Sequence, residues 1–428
     1  MVEVRISVSE IVRIGEQAQV PHQDAAQGAL APTKLLVFAH TPPPHHGQSY
    51  MVQLMLEGFG GDVRSGGAAQ ERYSIACYHV NCQISSGMED IGSMRFGKPF
   101  RLLRYCLEAI WCRYRYGVSI FYYIPAPGKR AAIYRDWMVL FFCRPFFKKF
   151  VLHWHASGLG DWLSAEGGWV EKWLTVKFFE GAQLSMALAT VGMRDGLWFR
   201  SDRMEIVPNG IPDPCPDFAS RLLPQRQARL AARCRWLEGG GGGDSGQEPV
   251  YRLLFLAHCT RDKGVFDAVE GVALYNAGKP RLRAHLTVAG AFLDEAEERE
   301  FKERIARQDL ADCVTYVGFV ESEVKTRLFE ENDCLCFPTY YHAESFGLVI
   351  LEAMAFGMPS LTTRWRAIPE LLPEGYPAYV PPRAPQKVAE MLETLLMLDL
   401  SEAMREAYLE RFTIPKHLDA LAQAIRKA

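Results

Sequence analysis

Residues 338–359, reading PTYYHAESFGLVILEAMAFGMP, concentrate side chains suited to a charged, hydroxyl-rich ligand. The segment runs strand, loop, helix, stop. Pro338 ends an apolar run, a helix is expected to begin near Phe346 or Gly347, and Gly357 followed by Pro359 terminates it. A glycine at a helix start lets a ligand approach the backbone, where free amides carry roughly half a positive charge and favour a diphosphate. Glu344 lies in the loop before that helix and Glu352 inside it, eight residues on. Carboxylates touching phosphates would repel them, so both acids are expected to face hydroxyls: a sugar for Glu344 and a ribose for Glu352. His40, His45, His46, His79, His153 and His155 lack ligand spacing and carboxylate partners, so no metal is expected.

Positioning these groups needs a scaffold, and the chain offers one twice. Apolar runs at 34–40, 73–78, 119–124 and 149–155 alternate with helical patterns over 99–115 and 129–145. A second series places runs at 251–257, 285–289, 314–317 and 333–338 between helical patterns over 265–276, 295–307 and 321–330. Such alternation signals βαβ units and parallel sheets. The fold class is therefore α/β with two Rossmann-like domains, and ligands in such sheets sit beyond the carboxyl ends of the strands, in a cleft if the domains face each other. The expected domains are 33–205 and 206–402, with turn chemistry at 207–211 between them. Residues 1–32 read as an N-terminal extension. Five glycines, Gly239 to Gly243, mark a flexible loop over 238–247. Residues 403–428 read as a C-terminal helix, either staying on the second domain or crossing back to the first.

Composition removes several classes of function. At 428 residues the chain exceeds the roughly 250–300 that one core supports. Its 49% hydrophobic and 23% charged residues are those of a globular protein. With 48 Lys and Arg against 50 Asp and Glu, no net field draws nucleic acid. Eleven cysteines without a CxxC pair, an odd total, and no secretory leader at the first residues predict free thiols in the cytoplasm. Cys334 and Cys336 alternate along one strand and read as packing. The longest charge-free apolar run, at 137–143, is about a third of the ~20 residues a membrane helix needs. The aromatic cluster 137–142 with the basic stretch 144–149 reads as a helix packed on a sheet; the alternative is a peripheral contact with the inner face of a membrane.

The arrangement resembles the retaining glycosyltransferases of family 4, whose fold is GT-B and whose Glu-x7-Glu motif is matched by Glu344 to Glu352 with the intervening Phe-Gly, the following Glu-Ala and the Gly-x-Pro ending. The resemblance covers about 34–420 and is strongest in the second half. It implies that Glu344 binds the donor sugar near the reacting carbon, that the backbone from Ser345 through Phe346 and Gly347 to Leu348 holds the diphosphate, and that Glu352 grips the ribose. Lys263 with Gly264 is similar to the family's phosphate-binding lysine. The family's Arg five residues earlier is His258 here, and Arg261 is the candidate substitute. Phe319 resembles part of the base-binding turn, Asn209 the interdomain Asn-Gly-Ile, Gly47 the glycine of the first-domain loop, and His155 the active-site histidine of that domain. The implied partners are a UDP-, GDP- or ADP-sugar donor and a glycan or lipid-linked acceptor, with hexosyl transfer, no cofactor, no metal, and a place in polysaccharide biosynthesis. Two rivals share the residues: a nucleotide-sugar epimerase, which needs no acceptor, and a catalytically silent sugar-nucleotide-binding protein.

Overall fold

A computed structural model describes residues 31–43, 46–83, 98–239 and 248–428. The N-terminal extension as far as residue 30, His45, and residues 240–247 of the glycine-rich loop lie outside the described residues.

The first domain is built on β1 (Thr33–Ala39), α1 (Gly47–Gly58), β2 (Ile75–Asn81), α2 (Lys98–Tyr116), β3 (Ile120–Tyr123), α3 (Arg130–Cys143), β4 (Lys149–Trp154), α4 (Leu159–Glu166), α5 (Trp169–Phe179), β5 (Leu184–Ala187), α6 (Met193–Trp198) and β6 (Met204–Ile206). Its six strands are parallel in the order β2-β1-β3-β4-β5-β6. β1 sits inside this sheet with Leu35 opposite both Cys77 and Ile120. That position explains its unbroken apolar run, because a central parallel strand is covered on both faces.

The second domain opens with α7 (Leu223–Leu237) and continues through β7 (Tyr251–Leu256), α8 (Val265–Ala277), β8 (Ala284–Ala289), α9 (Glu295–Arg307), β9 (Val314–Gly318), α10 (Ser322–Glu331), β10 (Cys334–Phe337), α11 (Leu348–Ala355), β11 (Ser360–Thr363), α12 (Ile368–Leu371), β12 (Tyr379–Val380), α13 (Pro385–Leu395) and α14 (Ser401–Arg411). Its parallel order is β12-β11-β10-β7-β8-β9. Cys334 and Cys336 are fully buried in this core.

Residues 403–428 do not form one helix. Met404, Tyr408 and Phe412 belong to the second core, whereas α15 (Ile414–Arg426) sends Leu418, Leu421 and Ile425 into the first, beside Val52, Met55 and Val151. Two chain crossings therefore lie side by side. Ile211 N–H donates to Phe412 O (3.0 Å) and Ile414 N–H to Ile211 O (2.9 Å). Gly210 is needed at this crossing, since a Cβ there would lie 2.5 Å from Thr413 O.

In the cluster 137–149, Trp137 Nε1 donates to Thr175 Oγ1 (3.0 Å), and Val139, Leu140 and Phe147 are buried, while Phe141 and Phe146 remain exposed. No helix among the described residues is long and apolar enough to cross a membrane.

Candidate functional site

The loop 338–347 and the turn 260–264 stand at the carboxyl ends of the adjacent strands β10 and β7, and hydrogen bonds lock them together. Tyr340 N–H donates to Asp262 O (2.8 Å), and Thr363 Oγ1 from β11 donates to Thr339 O (2.5 Å). Gly264 has φ +86°, and a Cβ there would strike Pro338 O at 2.4 Å, so only glycine lets the two loops meet. The result places Lys263 Nζ 2.6 Å from Glu344 Oε2, with the lysine also 4.5 Å over the Tyr341 ring. Glu344 is buried and this cation is its counter-charge.

α11 begins at Leu348, one residue later than expected, because Gly347 is its N-cap at φ +84° and ψ 61°. A Cβ at Gly347 would meet nothing closer than Ile350 Cδ1 at 3.5 Å, so glycine is required by backbone conformation. Of the amides after it, Ile350 N–H turns back to Gly347 O (2.9 Å). The Phe346 side chain is buried against Phe412, which leaves to a ligand only its backbone, the part expected to meet the diphosphate.

The first domain meets this tip directly. Gly47 stands at the start of α1, which replaces the loop expected there; the His46 ring accepts from Ser49 N–H (3.3 Å) and caps the helix. A Cβ on Gly47 would lie 2.9 Å from Leu348 Cδ1. Helix starts from both domains thus face each other across one glycine. The Tyr50 hydroxyl is held above its usual range first by burial and then by the Glu352 carboxylate. Ser345 Oγ donates to His155 O (2.5 Å), and Thr190 N–H and Oγ1 both donate to Glu370 Oε2 (2.9 Å each).

Of the two histidines at the end of β4, His153 is fully buried, with Nδ1 2.5 Å from Tyr122 Oη, while His155 is half-buried. His155 Nε2 lies 3.3 Å from His153 Nδ1. Burial, then the nearby His417 and His46, pushes the His155 imidazole down to about 3, so it is neutral near pH 7. The loop after it is pinned by Asp195, which accepts from Gly158 N–H (2.7 Å) and Gly160 N–H (2.8 Å) and which burial raises to about 6.

Other expected residues fall in different surroundings. Glu352 is paired with Lys325 of α10 (2.5 Å), a residue the sequence did not single out. Phe319 is exposed beyond Gly318, whose φ of +71° turns the chain in open space. Asn209 is buried, with Oδ1 unpartnered among the described residues. Arg261 is not brought to the Lys263 and Glu344 pair as a second phosphate cation. Its guanidinium is bound to Glu300 (2.5 Å) and stacked over Phe266, because the acid-rich face of α9 lies beside it. Arg261 instead lines a cavity of about 680 Å³ with Asp267, Glu297, Arg304, Tyr340 and Arg383, which neither Lys263 nor Glu344 lines. His258 does not replace it, since burial and then Lys263 hold its imidazole below the usual range. Arg366 was not anticipated either. It holds φ +48°, and its Nη1 reaches Ser157 Oγ across the cleft at 3.4 Å.

Two parallel six-stranded α/β domains facing each other, with the chain crossing between them twice, define the GT-B class of fold. Residues 246–411 match the model of glycosyl transferases group 1. Among curated proteins, a D-inositol 3-phosphate glycosyltransferase of Arthrobacter sp. (strain FB24) is 32% identical over 163 residues, 38% of this chain and 34% of its own. The chain thus matches about a third of that relative's length. Among solved structures, Anabaena Alr3699/HepE with UDP and glucose superposes with a TM-score of 0.61 at 16% identity, covering 92% of this chain and 100% of that one. The sucrose-phosphate synthase of Thermosynechococcus elongatus superposes with a TM-score of 0.62 at 15% identity, covering 92% and 98%. These likenesses are of fold.

Proposed function

We propose that this protein is a glycosyltransferase that moves a hexose from a nucleotide-diphosphate sugar to a glycan or lipid-linked saccharide, retaining the anomeric configuration and without a metal. The observation that carries this reading is the buried Glu344 held between the Lys263 ammonium and the left-handed start of α11, opposite His155. The donor's diphosphate lies over the amides after Gly347 and draws Lys263 to itself. Glu344 then turns its freed oxygens to the sugar hydroxyls, and Glu352 turns to the ribose. The bond from the anomeric carbon to the phosphate oxygen breaks, a bond to the acceptor oxygen forms on the same face, and the acceptor proton passes to the leaving phosphate. Charge growing on that phosphate meets Lys263 and oriented amides already in place, usually the largest contribution to such catalysis. Neutral His155 is an acceptor of hydrogen bonds at the sugar. The fold-level likeness to a protein that holds UDP and glucose makes UDP-glucose the first donor to try.

The test is a thermal-shift screen of UDP-, GDP- and ADP-sugars, followed by NMR of the product made with a saccharide acceptor. Stabilisation by one donor and a retained anomeric centre support the reading. Inversion, or epimerised donor formed with no acceptor, refutes it.

A further inference from the structure

We infer that the outer helical face of the first domain docks on an anionic phospholipid surface. The solvent side of α2 is the reverse of an ordinary one. Phe100, Leu107, Trp111 and Tyr114 follow helical spacing along one stripe and are 78%, 57%, 52% and 70% exposed. Arg101, Arg104 and Arg115 are interleaved with them and are also exposed. On α5, Trp169 and Trp173 stand one turn apart, and both are largely exposed. α3 packs between these helices: Tyr114 meets the Phe146 ring just after α3, and Phe141 meets Phe178 on the side of α5 turned away from Trp169 and Trp173.

Scattered exposed apolar residues are ordinary, but a run of them over neighbouring helices marks a contact surface. The choice of partner follows from the charge between them. Residues 98–116, 129–149 and 169–179 hold thirteen Lys and Arg against three acids, in a chain of net charge −2. Of the three acids, Glu108 is paired with Arg64, Asp136 is buried beside Arg135, and Glu171 is paired with Arg130. A second copy of the same face would be repelled. Anionic headgroups would be attracted, and Trp, Tyr and Arg are the side chains that suit the boundary between headgroups and acyl chains. Because α2 follows β2, and α5 follows β4 through α4, Phe100 and Trp169 lie at the helix ends nearest the carboxyl edge of the sheet, where His155 stands. Docking would bring the cleft beside the lipid. This deepens the reading of a lipid-carried acceptor, yet its test uses no donor and stands if sugar transfer fails.

The test is co-sedimentation of the full chain with phosphatidylcholine vesicles, with and without phosphatidylglycerol. Binding is expected to the mixed vesicles at low salt and to weaken at high salt. The double variants Trp169→Ser/Trp173→Ser and Leu107→Glu/Trp111→Glu should each bind about tenfold less, since each loses one helix's aromatic or apolar anchor. Both should melt like the parent, because the altered side chains are exposed. The inference is overturned by no binding to mixed vesicles, by equal binding to phosphatidylcholine alone, or by unaffected variants. It is also overturned if the variants only abolish a concentration-dependent dimer.

Discussion

Replacing Lys263 by Met keeps the aliphatic stem and removes the charge, which separates two roles of this residue. In the free protein Lys263 neutralises Glu344 at 2.6 Å, with side-chain exposures of only 18% and 8%. Loss of a short hydrogen bond between charged groups costs about 1.5–3 kcal/mol, and loss of the contact over Tyr341 adds about 0.5–1 kcal/mol. The single variant should therefore melt well below the parent. Adding Glu344→Gln removes the stranded charge, so the double variant should regain most of the stability. Catalysis should not follow it. A missing cation at the leaving phosphate lowers turnover by about 10²–10³, roughly 3–4 kcal/mol, in the single and double variants alike. Thermal unfolding and initial rates at saturating donor, measured on the same preparations, read the two effects apart. Turnover within about tenfold of the parent in Lys263→Met would remove this lysine from the phosphate and with it the reasoning for the site.

Gly347→Ala forces a side chain into left-handed backbone without a clash, so it should cost about 1–2 kcal/mol in stability and weaken UDP binding measured by calorimetry; an unchanged melting point would contradict the assigned strain. In Gly58→Ala the new Cβ would lie 2.3 Å from Leu418 Cδ1. Overpacking of about 1–3 kcal/mol should outweigh the better helix propensity, and Leu418→Ala in the same chain should relieve it. Acid should destabilise the fold below neutrality. Burial lowers His155 to about 3 and His417 to about 4, so the native state binds fewer protons than the unfolded one. Stability present above about pH 6.5 should fall towards pH 4, by up to about 1.4 kcal/mol per unit for each histidine. Asp195, raised to about 6, works the other way between pH 6 and 4, but it is one group against two. Urea midpoints across this range that stay level would refute the burial of these rings.

The helices and strands that follow simple periodicity were legible in the residues. The expected runs at 34–40, 149–155 and 251–257 are β1, β4 and β7 to within a residue or so. α7 escaped because its inward positions are arginines. Arg226 is buried with its guanidinium on the carbonyls of Phe329, Asn332 and Phe356, so a search for apolar spacing sees only a polar stretch. α1 escaped because its start is capped by a histidine after three prolines, which reads as loop. In the site, the acids and glycines of the 338–359 segment were visible because local backbone chemistry demands them. The fate of Arg261, Lys325 and Arg366 was not, since each depends on which helix the fold brings alongside. Spacing along the chain carries no record of that.

The final helix of the chain completes the domain that was made first. Until Leu418, Leu421 and Ile425 are synthesised, the apolar surface formed by Val52, Met55 and Val151 has no cover. The first domain therefore cannot close its core while the ribosome is still making the second, and it is not a single contiguous stretch that can be excised whole. A premature stop between Phe412 and Leu418 would leave a complete second domain attached to an unfinished first one, a species with exposed core surface and a tendency to aggregate.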